Sequence, residues 1–192
     1  MLFVSQHDFP GGCFSIQSDL KSEQPSYESI ERSGCGICAM MMAIEQLKSH
    51  SMQIQDAVRI AEECGSTERG FVDMNIYGKA CAEKFGLKMD VSIDVEYVEE
   101  CLDAGGCVIV NVKGDYEGFR GLFSHHGHYM TIISHDENEF CLLDPGFDKE
   151  WYESPERKCK VRTVGYFLYV SPEILMNNLQ TENSGFFCFR RK

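Results

Sequence analysis

The unbroken apolar run at residues 37–44 is the feature of this sequence that most restricts its fold. It follows Gly34-Cys35-Gly36 in the stretch SGCGICAMMMAI. The run shows neither the alternation of a half-buried strand nor the single apolar stripe of a surface helix. It therefore predicts a helix, over about residues 35–48, that is buried on most sides. Cys35 lies where this helix begins, between two glycines.

Cys35 is a candidate nucleophile because of its place at the start of the helix. Unpaired backbone N–H groups and the positive end of the helix dipole favour the thiolate there. Glycines on both sides keep other side chains away from an approaching carbonyl group. A catalytic thiol also needs a nearby base that a third group orients. The six histidines of the chain are the candidates for that base.

A predicted β-hairpin supplies the base and its partner. The segments HYMTIIS and EFCLLDP have strand composition and are joined by a turn at about residues 135–137. This register places His128 opposite Asp144, with about 5 Å between their Cβ atoms. A carboxylate in that position holds an imidazole in one tautomer and orientation. Each residue alone has a commoner structural explanation, but the combination favours catalysis by Cys35, His128 and Asp144.

The remaining pattern predicts a helical first half and a strand-rich second half. Further helices are expected at about residues 52–64, 72–85 and 95–102, and beyond Ser171-Pro172. Strands are expected at residues 2–5, 107–112, 129–134, 140–143 and 161–170. The chain is thus predicted to be α+β and to form a single domain over residues 1–192. In it, a helical lobe at about residues 30–104 packs on a mostly antiparallel sheet in a lobe at about residues 105–180.

Composition and charge exclude several classes of partner. A formal net charge of −12 opposes binding to nucleic acid and to anionic membrane surfaces. The sequence shows no secretory signal and no apolar stretch of about 18 residues that could span a bilayer, which predicts a cytoplasmic protein. The ten cysteines are scattered, several of them within apolar runs. They are expected to be reduced core residues rather than a disulfide framework.

Four segments of the chain carry a resemblance to a known family: SQHD, SIERSGCGICAMMMAIEQL, LDAGGCVIVNV and GHYMTIISHDENEFCLLDPG. Together they resemble the papain-like cysteine peptidases related to the bacteriocin-processing, double-glycine-leader peptidases. The resemblance implies a two-lobed papain-like fold. It implies that Cys35 is the nucleophile, His128 the general base and then acid, and Asp144 the residue that orients His128. Relatives with a GCGPT-like motif have Pro and Thr where this chain has Ile37 and Cys38, within the helix.

The resemblance also implies a glutamine that stabilises the oxyanion of the reaction. In the bacteriocin-processing branch this glutamine precedes the nucleophile by six residues, a position that Ser29 occupies here. Looser relatives have a Gln before an acidic residue near the N-terminus, which resembles Gln6 in SQHD. Gln6 is therefore the expected donor, with Gln24 as the alternative. The implied reaction is acyl transfer from a peptide or protein substrate, and it requires no metal or organic cofactor.

Three other interpretations remain open from the sequence. Cys35 and Cys38 form a C-x-x-C pair of the kind used in thiol redox chemistry, although no strand of a βαβ unit is predicted before them. With His126 and His128 they have the residue types of a zinc site, although a gap of about ninety residues is unlike a structural finger. A papain-like domain that serves as a binding or regulatory module without turnover is the third.

Overall fold

A seven-stranded sheet forms the centre of the protein in the computed structural model, which describes residues 2–16, 26–67, 70–182 and 185–192. Two short strands, β1 (Cys13–Ser15) and β2 (Tyr27–Ser29), pair separately. The strands of the large sheet are β3 (Leu87–Ser92), β4 (Cys107–Val112), β5 (His128–His135), β6 (Phe140–Leu143), β7 (Arg162–Val164), β8 (Phe167–Val170) and β9 (Phe186–Arg191). Their order in space is β3-β9-β4-β5-β6-β8-β7, and every neighbouring pair is antiparallel.

Helices cover both faces of the large sheet. They are α1 (Ile30–Ser33), α2 (Cys35–Lys48), α3 (Ile54–Glu63), α4 (Met74–Phe85), α5 (Val95–Asp103), α6 (Lys149–Glu153) and α7 (Pro172–Asn178). On one face, α2, α3 and α4 share a core with Ile109 and Phe187. On the other face, α5, α6 and α7 share a core with Val110 and Phe186. The predicted α+β class with an antiparallel sheet is confirmed. Within the described ranges, no helix is both long and apolar enough to span a membrane.

The central helix α2 has the bounds that the apolar run predicts. It spans Cys35–Lys48 and ends at Ser49, which has a left-handed φ of 51°. Its apolar residues are buried almost all round, because α3 and α4 cover the side that the sheet does not. Thr131 Oγ1 of β5 donates a hydrogen bond to Ala39 O at 3.1 Å. This contact helps to fix the helix that begins with Cys35 against the strand that begins with His128.

Two strands of the large sheet lie outside the predicted sheet lobe. β3 follows α4 directly, at Gly86 with a φ of 63°, and half of its side chains are exposed. Its sequence LKMDVS alternates between apolar and polar residues, a strand pattern that the prediction does not use. β9 lies inside the sheet, where α2 and α4 cover one face and α5 covers the other, so its apolar residues are buried on both faces and show no alternation. Helical and strand-rich segments therefore do not separate along the chain at residue 105, because β3 joins the sheet from the first half.

Two of the predicted strands differ from the structure. Residues 2–5 do not form a strand: Ser5 instead caps a short 3₁₀ helix, Gln6–Asp8, by accepting a hydrogen bond from His7 N. Residues 161–170 form two strands rather than one. β7 and β8 pair with each other across a tight turn that contains Gly165 at a φ of 61°. Because both ends of that segment are apolar, its sequence is predicted to form one continuous strand.

The hairpin of β5 and β6 forms with a different register from the one predicted. The prediction places Thr131 opposite Cys141, whereas the structure pairs Thr131 with Leu143 and has an irregularity between Ile132 and Ser134. The turn therefore lies closer to the start of β6, with Asp136 N donating to Glu139 O at 3.0 Å. On the side of the irregularity that includes His128, the shift is two residues, which keeps each side chain on the same face of its strand. This is why the hairpin still brings the predicted histidine and aspartate together.

Candidate active site

Cys35 is the first residue of α2, and its thiol is half-buried at the edge of a cleft. The two flanking glycines are required by packing. A Cβ on Gly34 would lie 2.5 Å from Ile30 O, and one on Gly36 would lie 3.1 Å from the ring of Tyr129. Gly34 therefore has no room for a side chain, because the backbone of α1 lies so close, and a side chain at Gly36 would press against the ring of Tyr129.

Cys35 and His128 are neighbours across the junction between α2 and β5, and each shifts the pKa of the other. Burial by itself would raise the pKa of the thiol. The positive charge and hydrogen bond of His128, together with the backbone N–H groups of Tyr129 and Gly36, outweigh burial and lower the pKa of Cys35 below its ordinary value. A thiolate at the start of a helix beside an imidazolium is the form of cysteine that acts as a nucleophile.

The other side of the His128 ring contacts Asp144, with 2.5 Å between Nε2 and Oδ1. Because Nε2 is used by Asp144, Nδ1 is the nitrogen left for Cys35. Burial favours the neutral ring, but the charges and hydrogen bonds of Asp144 and Cys35 outweigh it and raise the pKa of His128 to about 10. Gly146 allows this approach, since a Cβ there would lie 3.2 Å from His128 Cε1.

Asp144 directly follows β6 and is 2% exposed. Its Oδ1 also accepts a hydrogen bond from Gly146 N at 2.7 Å, and its Oδ2 accepts one from Tyr152 Oη at 2.6 Å. Burial opposes the charged form of the carboxylate. The charge of His128 and the three hydrogen bonds outweigh burial and lower the pKa of Asp144. Sequence reasoning misses Tyr152, which comes from α6 and has no pattern that relates it to Asp144.

Gln6 lines the same cleft as Cys35. Its backbone N–H donates to Pro145 O at 2.8 Å, and its side-chain Nε2 donates to Glu31 O at 2.6 Å. One amide hydrogen is thus engaged with Glu31, and the second remains for another acceptor. The turn that carries Asp144 therefore also holds the segment that carries Gln6.

The other two positions considered for the glutamine are Ser29 and Gln24. Ser29, which stands where the bacteriocin-processing branch has its glutamine, is the N-cap of α1 and accepts a hydrogen bond from Arg32 N at 3.2 Å. Gln24 lies outside the described residues.

The cleft has a volume of about 680 Å³. Cys35 and His128 line it, together with aromatic side chains that include Phe71, Phe123 and Trp151. The loop at residues 113–127 borders it. This loop is held by Asp115, which pairs with Arg120 at 2.8 Å and with His125 at 2.9 Å. The site is thus open to a molecule considerably larger than water.

The alternative interpretations of Cys38 and His126 gain no support from their placement. Cys38 is fully buried within α2, and burial raises the pKa of its thiol well above the ordinary value. His126 lies before β5 begins, so it shares no strand face with His128. In the part of the chain that the structure describes, no three His, Cys, Asp or Glu side chains converge as a metal site would require.

This fold is that of the papain-like cysteine peptidases. Residues 3–166 match the model of the Peptidase C39 like family, and the chain belongs to that family. A crystal structure from Bacillus anthracis, described as a putative C39-like peptidase, has the same fold. It superposes with a TM-score of 0.58 at 11% sequence identity, covering 83% of this chain and 89% of that one. A comparison with curated protein sequences finds no match.

Proposed function

We propose that this protein is a cysteine peptidase or related amide hydrolase that acts on a peptide or protein substrate. The observation that carries the proposal is that Cys35 lies beside His128, that His128 is hydrogen-bonded to Asp144, and that all three residues line one open cleft. A thiol with a lowered pKa, a base in contact with it and a group that orients the base are the three requirements of covalent acyl transfer.

In the first step, the Cys35 thiolate attacks the carbonyl carbon of the scissile bond. The backbone N–H of Cys35 and the free amide hydrogen of Gln6 would donate to the oxyanion that develops. The His128 imidazolium then gives its proton to the leaving amine, and the C–N bond breaks. The products of this step are a thioester on Cys35 and a free amine.

In the second step, neutral His128 takes a proton from water as the water attacks the thioester. The acyl group leaves as a carboxylic acid, and the thiolate and imidazolium form again. Asp144 keeps Nδ1 of the ring directed at Cys35 through both steps, because it holds Nε2 at 2.5 Å. No step requires a metal or an organic cofactor.

Replacement of Gln6 by Ala is expected to lower kcat by about 10² to 10³-fold, because one donor to the oxyanion is lost. KM should change little, since this donor acts on the transition state. The measurement is steady-state cleavage of a peptide that the unmodified protein accepts. Gln180→Ala is the matched control, because Gln180 also lines the cleft but is not part of the proposed mechanism. An equal loss in both variants would contradict the assignment of Gln6.

The proposed function is tested most broadly with a library of peptides derived from a proteome. The library is incubated with the unmodified protein or with Cys35→Ala, and new peptide termini are identified by mass spectrometry. New termini that depend on Cys35 support peptidase activity. If no new termini appear although Cys35 is reactive toward an alkylating reagent, peptidase activity is contradicted and a binding or regulatory domain is favoured.

A further inference from the structure

Tyr152 contacts Asp144 from within the core and does not line the cleft. Its hydroxyl donates to Asp144 Oδ2 at 2.6 Å, whereas His128 and Gly146 both contact Oδ1. We propose that Tyr152 is a positioning residue of this site, which fixes the carboxylate of Asp144 by the oxygen that His128 does not use. This inference rests on the proposed function and assigns it one further residue.

Because both partners are buried, this hydrogen bond has a large effect on the orientation of Asp144. Tyr152 is 1% exposed and Asp144 is 2% exposed, so bulk water does not solvate either group. Among the described residues, Oδ2 of Asp144 has no other donor. Burial and the negative charge of Asp144 raise the pKa of Tyr152 well above its ordinary value, so the hydroxyl stays protonated and donates. A carboxylate held at both oxygens has one orientation, and so does the ring that it contacts.

The position of the tyrosine ring is set by a short helix and by a neighbouring aromatic ring. Tyr152 lies in α6, which begins after Asp148, whose side chain accepts a hydrogen bond from Glu150 N at 2.9 Å. The ring of Phe147 stacks on the ring of Tyr152 with 5.9 Å between centroids. Asp148 and Trp151 line the cleft, whereas Tyr152 does not. These contacts place the hydroxyl of Tyr152 against Asp144 from within the core.

The hydroxyl also shares the negative charge of Asp144. A donor to a carboxylate stabilises its charge and weakens its attraction for the proton of the facing imidazolium. Tyr152 therefore makes His128 a better acid toward the leaving amine. Two titratable groups face His128 and affect its pKa: Cys35 and Asp144. The charged groups that affect the pKa of Tyr152 are Asp144, Arg157 and Asp148.

Replacement of Tyr152 by Phe removes the hydroxyl and keeps the ring. The titration of His128, followed by NMR of protein labelled with ¹⁵N-histidine, should move to higher pH by about half a unit or more. With a peptide that the unmodified protein cleaves, kcat should fall about tenfold and KM should stay the same. The matched control is Tyr77→Phe, because Tyr77 is a buried tyrosine that donates to Ala57 O at 3.2 Å, away from the cleft.

If the Tyr152 hydroxyl had only a structural role, its loss would lower the melting temperature as the loss of the Tyr77 hydroxyl does. The pH at which His128 titrates would then stay unchanged. An unchanged or lower His128 titration in Tyr152→Phe therefore overturns the inference, and so does an equal shift in Tyr77→Phe. The NMR titration needs no substrate, so it separates this inference from the proposed function. A protein that cleaves nothing, but whose His128 titration shifts as expected, would contradict peptidase activity and retain the link from Tyr152 to His128.

Discussion

Replacement of Cys35 by Ala is expected to reduce kcat for peptide cleavage on the order of 10⁴-fold or more. The variant lacks the atom that forms the thioester, so the covalent route is lost and only the oxyanion donors and substrate binding remain. Substrate should still bind, because the walls of the cleft are unchanged. Single-turnover cleavage measures the first effect, and equilibrium binding of the same peptide measures the second.

The control for Cys35 is an exposed thiol that lies away from the cleft. Cys159 is exposed and does not line the cavity, so Cys159→Ala should retain full activity. If Cys35→Ala retained more than a few per cent of the activity, a contaminating peptidase or a different nucleophile would be indicated. Loss of activity in both variants would point to instability rather than chemistry, which thermal melting of each protein would reveal.

Replacement of His128 by Ala is expected to produce the second large effect, on the reactivity of Cys35 as well as on turnover. Without the imidazolium, burial dominates and the pKa of Cys35 should rise to or above its ordinary value. Below the pKa, each unit of this rise reduces the thiolate fraction tenfold. Alkylation of Cys35 by iodoacetamide at about pH 6 should therefore slow by tenfold or more, and peptide cleavage should cease.

Peptide mapping by mass spectrometry isolates Cys35 from the other nine thiols in this measurement. His126→Ala is the matched control, because His126 also lines the cleft but lies outside β5. His128→Gln is a second test. The glutamine amide can still donate a hydrogen bond to buried Asp144, but it cannot serve as an acid or base. Rapid alkylation at low pH in both His128 variants would show that another group activates the thiol.

The parts of the site that could be predicted depend on short-range patterns. The run at residues 37–44 is apolar at every position, so it predicts α2 and the place of Cys35 whatever surrounds it. His128 and Asp144 lie at the ends of two adjacent strands. The period of two in a strand keeps them on one face even though the register differs by two residues.

The rest of the site depends on contacts that no local pattern encodes. Gln6 contacts Pro145, which is distant in the sequence, and Tyr152 donates a hydrogen bond to Asp144. Tyr152 lies in a short helix whose position depends on packing, so no periodic pattern predicts it. β3 and β9 pair between distant parts of the sequence. β9 lacks the alternation that marks a half-buried strand, whereas β3 alternates over only six residues, and its partner is not visible from the sequence. Such contacts follow from the assembled sheet and helices, so they become visible only in three dimensions.

The most direct test of the proposed chemistry is the titration of the Cys35 thiol itself. The ultraviolet absorbance of the thiolate is recorded across pH for the unmodified protein and for Cys35→Ser, and the difference between them isolates Cys35. The expected result is a thiolate that forms below the ordinary cysteine pKa of about 8.5. A difference titration at or above that value would contradict the Cys35–His128 pair and, with it, the proposed peptidase mechanism.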